Sequence, residues 1–203
     1  DGRLIGPQSF LDTALAHNLL GQLSRYILHA ATSAFGQWRA KSAPARSLFL
    51  TVNIPGGDLE AGDIVEQAAR AVLEAGLPAG ALKIEVTEHQ ILRDPGAAAA
   101  TCARLRAAGV AVALDDFGAG FGSLTWLSRL PADTLKLDKS LIDGLVMSAR
   151  TRTIVRAIIA LAHELNLEVV AEGVEAAATR DLLVDLACDY AQGHLVAPAL
   201  SAG

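Results

Sequence analysis

Cysteine is scarce in this chain. Cys102 and Cys188 are the only two among 203 residues. A disulfide framework or a zinc site needs more thiols at closer spacing, so both read as free core thiols in helix-like segments of a protein kept in a reducing compartment. Long apolar runs are missing too. Arg152, Arg156, His163 and Glu164 cut the longest of them, which excludes a membrane-spanning helix and, with it, membrane contact through a span. Basic residues are in deficit, 17 Lys and Arg against 22 Asp and Glu. The formal charge of −5 argues against a nucleic-acid polymer as partner, which requires a basic stripe. An acidic protein still binds a phosphate ligand when metal ions mediate the contact. No signal peptide is visible and the first residue is Asp1 rather than Met, so the expectation is a cytoplasmic domain cut from something longer.

What the chain does have is a steady alternation of strand and helix patterns. Hydrophobic residues make up 52% and charged residues 19%, a globular balance, and the length suits a single domain over 1–203. Short strands are predicted at 47–54, 82–88, 110–116, 134–138, 168–173 and 190–195. Helical spacing predicts helices at 63–76, 94–109, 151–166 and 179–187. Gly76 and Gly109 mark helix ends, and Pro95 marks a helix start. Two more helices fit residues 8–40, with Phe35 and Trp38 expected to pack inward.

Regular alternation implies a parallel sheet with right-handed crossovers. A doubly wound sheet that binds a nucleotide carries G-x-G-x-x-G or a P-loop after its first strand, and neither is present. A TIM-like (β/α)8 barrel is therefore the expected fold. Six strands are countable, so the first two are expected to lie before Asp1.

Residues two apart on a strand share a face. Asn53, Glu85, Asp115, Lys136 and Glu172 each fall near the C-terminal end of a strand, on the face opposite the apolar set. Gln192 occupies the corresponding place on the last strand. The C-terminal mouth is where barrel enzymes carry their sites, and these residues would converge there. Carboxylates and an amide are hard oxygen donors suited to Mg²⁺ or Mn²⁺. Asp116 can turn to the same site where its strand stops. Two cations roughly 3.5–4 Å apart would suit phosphoester hydrolysis and would explain two adjacent aspartates. Plainer readings compete residue by residue. Asp115-Asp116 can be a turn or helix cap, and Glu85 can pair with Lys83 or Lys136. Asn53 can satisfy backbone before the turn at 55–57, and Glu172 and Glu175 can belong to a solvated loop. The five histidines are not spaced as a metal triad, and no Ser/His/Asp set is.

The stretches "VNI", "LKIEVTEHQIL", "ALDDFGAGFGSLTWLSRLPADTLKLDKSLI", "VVAEGVE" and "AQGHL" occur in this order. Together they resemble the EAL domain, the cyclic di-GMP phosphodiesterases of bacteria, over nearly the whole chain. The resemblance implies a barrel that opens c-di-GMP to linear pGpG with two Mg²⁺ or Mn²⁺. Asn53, Glu85, Asp115 and Glu172 would be metal ligands, and Asp116 would serve the second ion. Glu175 would support a metal-bound water, and Lys136 would orient or deprotonate the nucleophilic water. Gln192 and Asp138 would contact substrate. Glu88 would anchor the glycine-rich loop 116–124, which together with a following short helix shapes a homodimer in the family. A diguanylate cyclase (GGDEF) or sensory domain is expected upstream. The Glu-Ala-Leu motif itself is not in the chain, the usual "QGY" is "QGH", and Pro55 stands where a serine is usual. Loss of the motif glutamate would instead leave a c-di-GMP receptor or interaction module.

Overall fold

The computed structural model describes residues 6, 10–55, 57, 59, 63–120, 127, 129–198 and 200. Six strands form one sheet: β1 (Leu50–Asn53), β2 (Leu82–Thr87), β3 (Ala111–Phe117), β4 (Thr134–Leu137), β5 (Glu168–Ala171) and β6 (Tyr190–Ala191). Every neighbouring pair is parallel and the spatial order follows the chain order. A doubly wound sheet reverses its order at a switch point; this one never reverses, as in barrel winding. The fold is mixed α/β, six strands of a TIM-like (β/α)8 barrel, with β1 and β6 as the two edges. The sheet curls far enough for those edges to meet at their N-terminal ends, where the rings of Phe49 and Tyr190 pack edge to face at 5.2 Å.

Eight helices lie along the described chain: α1 (Leu11–Ala16), α2 (Leu20–Lys41), α3 (Ile64–Glu74), α4 (Glu88–Arg93), α5 (Pro95–Ala107), α6 (Lys139–Asp143), α7 (Ala149–Glu164) and α8 (Ala177–Asp185). Their inner stripes meet the apolar strand faces, so Val52, Ile84, Val86, Val112, Leu114, Leu135, Leu137 and Val169 are buried. Each such aliphatic side chain contributes about 1.5–3 kcal/mol when withdrawn from water. Alternation leaves the other strand face for polar groups, as the sequence predicted.

Several expectations need correction. In α2 the inward stripe is Leu28, Thr32 and Phe35. Trp38 falls off that stripe and stays 44% exposed. Cys102 is buried in α5, where burial pushes its thiol up to about 12. Cys188, by contrast, lies past the end of α8, and its Sγ faces the carbonyls of Val169 and Tyr190. The first and last strands are shorter than predicted. Ser47 closes a 3₁₀ turn, Pro44–Ser47, and β6 ends at Ala191, with Gln192 still bonded to Ala171 and Val174 through its backbone. An edge strand has a partner on only one side, so its ends are released first.

Residues read as strand ends also start helices. Thr87 and Gln90 form a reciprocal capping box, which makes Glu88 the first residue of α4. Asp138 caps α6 by accepting the Ser140 N–H at 2.9 Å. The predicted cap at Asp94-Pro95 is present, with the Asp94 carboxylate accepting the Ala97 N–H. Residues 121–124 of the loop expected to move, and much of the short helix expected after it, fall outside the described residues.

Candidate metal centre at the C-terminal mouth

Parallel register assembles the site. Asn53 pairs with Glu85 across β1 and β2, and Asp115 pairs with Thr87 one side-chain layer higher across β2 and β3. The Asn53 amide donates to Glu85 Oε2 at 2.9 Å and to Asp115 Oδ2 at 3.4 Å. Asn53 therefore serves carboxylates, not the backbone of the following turn.

The two adjacent aspartates are explained by a bulge. Between Leu114–Leu135 and Phe117–Leu137 the ladder shifts, so that Asp115 and Asp116 together oppose the single residue Lys136. An inserted residue of this kind re-aims a side chain. Asp116 takes φ 57°, the left-handed region that Asp tolerates better than most residues. Without the bulge, strand alternation would send Asp116 into the helical layer. With it, carboxylate oxygens of Asp115, Asp116 and Glu172 come within 4.8 Å of one another.

Lys136 reaches into this group from β4. Its Nζ is 2.7 Å from Glu85 Oε1, 2.8 Å from Asp115 Oδ1 and 2.6 Å from Glu172 Oε1. The first two contacts are ion pairs, and Glu85 Oε1 and Asp115 Oδ1 are buried without a hydrogen-bond donor placed on them among the described residues. Burial opposes the ammonium charge, but contacts with Asp115, Glu172 and Glu85 outweigh it and raise the lysine above its ordinary value. Burial raises Glu172 despite Lys136. Asp116 is raised by burial first, then by Asp115 and Asp138.

Four carboxylates against one ammonium leave three formal negative charges in excess. Like charges so close raise one another's energy. A buried polar oxygen without an aligned donor also costs free energy. Both costs are relieved by a hard cation, and the donors are all hard oxygens. The residues present thus fit a divalent metal.

The remaining predicted residues lie around this centre. Glu175 is exposed and pairs with Lys139 Nζ at 2.6 Å, a contact that lowers its pKa. Lys139 was not foreseen; its place one step past Asp138, facing the turn after β5, is visible only in three dimensions. Asp138 is occupied in capping α6, and its hydrogen bond with Ser140 holds it low. Gln192 is exposed and borders, with Lys136, a cavity of about 330 Å³ along the barrel axis. Its backbone is locked to Ala171 and Val174, and Gly193 has to be glycine because a Cβ there would meet the Val174 backbone at 2.3 Å. Glu88 is buried, its pKa is raised by that burial, and it faces the start of the glycine-rich loop across Gly120.

Glu85, offered either Lys83 or Lys136 by sequence, takes Lys136. Lys83 bonds Thr134 Oγ1 and Glu168 at the opposite end of the barrel.

The family model for the EAL domain matches residues 1–199. The chain is 34% identical over 193 residues to a cyclic di-GMP phosphodiesterase of Pseudomonas aeruginosa, covering 95% of this chain and 32% of that protein. It is 35% identical over 193 residues to the bifunctional diguanylate cyclase/cyclic di-GMP phosphodiesterase MucR of the same organism, covering 95% and 28%. Among solved structures it matches the PaMucR phosphodiesterase in complex with c-di-GMP at 34% identity, with a TM-score of 0.87, over 98% of this chain and 79% of that one. The chain thus spans a third or less of the length of these curated relatives.

Proposed function

The chain belongs to the EAL domain family, and on that premise we propose that it is a cyclic di-GMP phosphodiesterase, hydrolysing c-di-GMP to linear pGpG with two Mg²⁺ or Mn²⁺. The observation that carries this reading is the bulge that sets Asp115 and Asp116 against Lys136, beside buried oxygens of Glu85 and Asp115 that lack a hydrogen bond. A barrel with only a structural task has no reason to keep such an arrangement.

Asn53, Glu85, Asp115 and Glu172 would hold one cation, and Asp116 would serve the second. When bound, these ions supply Lewis acidity to an attacking water and to the phosphoryl oxygens. Lys136 orients that water by hydrogen bonding and stabilises charge that develops near it. Glu175, steadied by Lys139, contributes a second carboxylate at the water's side of the mouth. Gln192, just past β6, and Asp138, the cap of α6, would face the substrate. Glu88 would anchor the glycine-rich loop 116–124.

Residues 1–203 belong to a single EAL-type domain in this reading, one whose first strands precede Asp1, in a cytoplasmic homodimer governed by a diguanylate cyclase (GGDEF) or sensory domain elsewhere in a longer protein. No described helix is long and apolar enough to cross a membrane. The deciding experiment incubates the full-length protein with c-di-GMP in Mg²⁺, in Mn²⁺ and in EDTA, and follows pGpG. Product that appears only with metal is the expected result. Tight binding of c-di-GMP without turnover would replace the enzyme by a receptor.

A further inference from the structure

Beyond the Asn53–Glu85 pair, β1 and β2 are joined by a side chain instead of by backbone. The Leu50 N–H donates to the Ala81 carbonyl at 2.8 Å, and the strands run in parallel register from Leu50–Leu82 to Asn53–Glu85. The bonds of a parallel ladder are evenly spaced and repeat every two residues. Carried along the strands, this phase assigns the Thr87 N–H to the Ile54 carbonyl. Instead the Thr87 N–H donates to Gln90 Oε1 at 3.1 Å, and Gln90 Nε2 donates to the Ile54 carbonyl at 2.9 Å. One carboxamide is thus inserted into the ladder. It satisfies both backbone groups and holds the strand ends farther apart than a direct bond would.

We propose that Gln90 is a positioning residue for Asn53, its inserted amide fixing where β1 parts from β2 and so where the Asn53 side chain stands. This rests on the reading of Asn53 as a metal ligand. A capping box needs only the oxygen of its glutamine, turned back on the N-cap N–H. The Nε2 bond to β1 is surplus to capping, and that surplus carries the inference. Both ends of the bridge are held. Thr87 Oγ1 accepts the Gln90 N–H at 3.4 Å, and Ile54 precedes Pro55, which disfavours helical backbone and keeps Ile54 extended. Asn53 is the next residue back. Its Nδ2 donates to Glu85 Oε2 and Asp115 Oδ2, so its Oδ1 is the atom left for a cation. A shift of the Ile54 carbonyl would move that oxygen directly.

The test measures Mn²⁺ affinity by titration calorimetry and melting in EDTA, on the full-length protein. Gln90→Met keeps the bulk and removes both amide bonds. It should bind Mn²⁺ about tenfold more weakly, the low end of what loss of a ligand's supporting partner costs. Gln90→Glu keeps an oxygen for the Thr87 N–H, as capping-box glutamates do, but sets a second oxygen against the Ile54 carbonyl. It should melt closer to wild type than Gln90→Met does, yet bind Mn²⁺ more weakly than wild type despite its added negative charge. In an Asn53→Ala background, Gln90→Met should cost no further Mn²⁺ affinity, because the residue it positions is gone. Wild-type Mn²⁺ affinity in Gln90→Met, or an equal loss in the Asn53→Ala background, would overturn the role. Should Gln90→Met not fold, Gln90→Glu carries the test, and Mn²⁺ binding as tight as wild type would then overturn it. A wild type that binds Mn²⁺ yet leaves c-di-GMP uncut would defeat the proposed function and leave the positioning role standing. Cleavage by wild type with unchanged Mn²⁺ affinity in both Gln90 variants would do the reverse.

Discussion

Two lysines enter the barrel interior from alternate strands and meet opposite fates. At the N-terminal end, Lys83 bonds Thr134 and Glu168, and its ammonium sits 3.9 Å from the centre of the Phe49 ring. Glu168 in turn accepts a bond from the Tyr190 hydroxyl at 3.2 Å. One cation meets one carboxylate, and the hydrogen-bonding groups are satisfied. At the C-terminal end, Lys136 meets three carboxylates with a fourth beside them, and two buried oxygens go without a hydrogen bond. The balanced cluster ties β2, β4 and β5 together. The unbalanced one stores repulsion that only a ligand relieves, and repulsion of that kind marks a working site.

Three substitutions would break or sharpen this contrast. The largest effect is expected from Asp115→Asn, which keeps the shape and removes a ligand charge at the centre of the cluster. Loss of an outer-shell partner of a metal typically costs 10–100-fold, so metal-dependent c-di-GMP cleavage should fall by more than about a hundredfold, with the melting temperature in EDTA unchanged or higher. Undiminished turnover would remove Asp115 from the metal assignment. At the balanced end, Lys83→Met should leave cleavage intact and lower stability by about 2 kcal/mol in denaturant unfolding. Breaking a fully buried pair costs more than that, but Glu168 is half exposed and regains water. A catalytic defect without a stability loss would make the two ends alike after all.

The smallest effect concerns pH. The carboxyl of Asp116 is raised in the folded chain above its ordinary 3.8, so the folded state holds its proton to higher pH than the unfolded state does. Its contribution to metal-free stability therefore declines as pH rises from about 3.8 through the raised value. Asp116→Asn removes that decline. In EDTA it should be more stable than wild type above the window, by on the order of 0.5 kcal/mol because the group is exposed and screened, and the difference should vanish at low pH. Melting curves across that range would show it; a gap that widens on acidification would reverse the assigned sign.

Much of this was legible from residue order. Period-two alternation separated Ile84 and Val86 from Lys83, Glu85 and Thr87, and the structure buries the first pair against the helices while the second set lines the interior. Five strands ending in polar residues pointed to one mouth, and that mouth exists. Trp38 was misjudged because apolar character alone does not say which side of a helix has a neighbour. Glu88 and Asp138 were read as strand ends because a capping residue shares extended backbone with the strand before it.

The sequence by itself determined the alternating βα order, the family, and which side chains could be ligands, because those depend on local periodicity and on motifs written along the chain. Only the tertiary structure decided that Lys136 rather than Lys83 answers Glu85, that a bulge turns Asp116 toward Asp115, and that Lys139 holds Glu175. Each of these joins residues from separate strands or loops. Such pairings are set by register and by the curl of the sheet, which no stretch of sequence encodes alone.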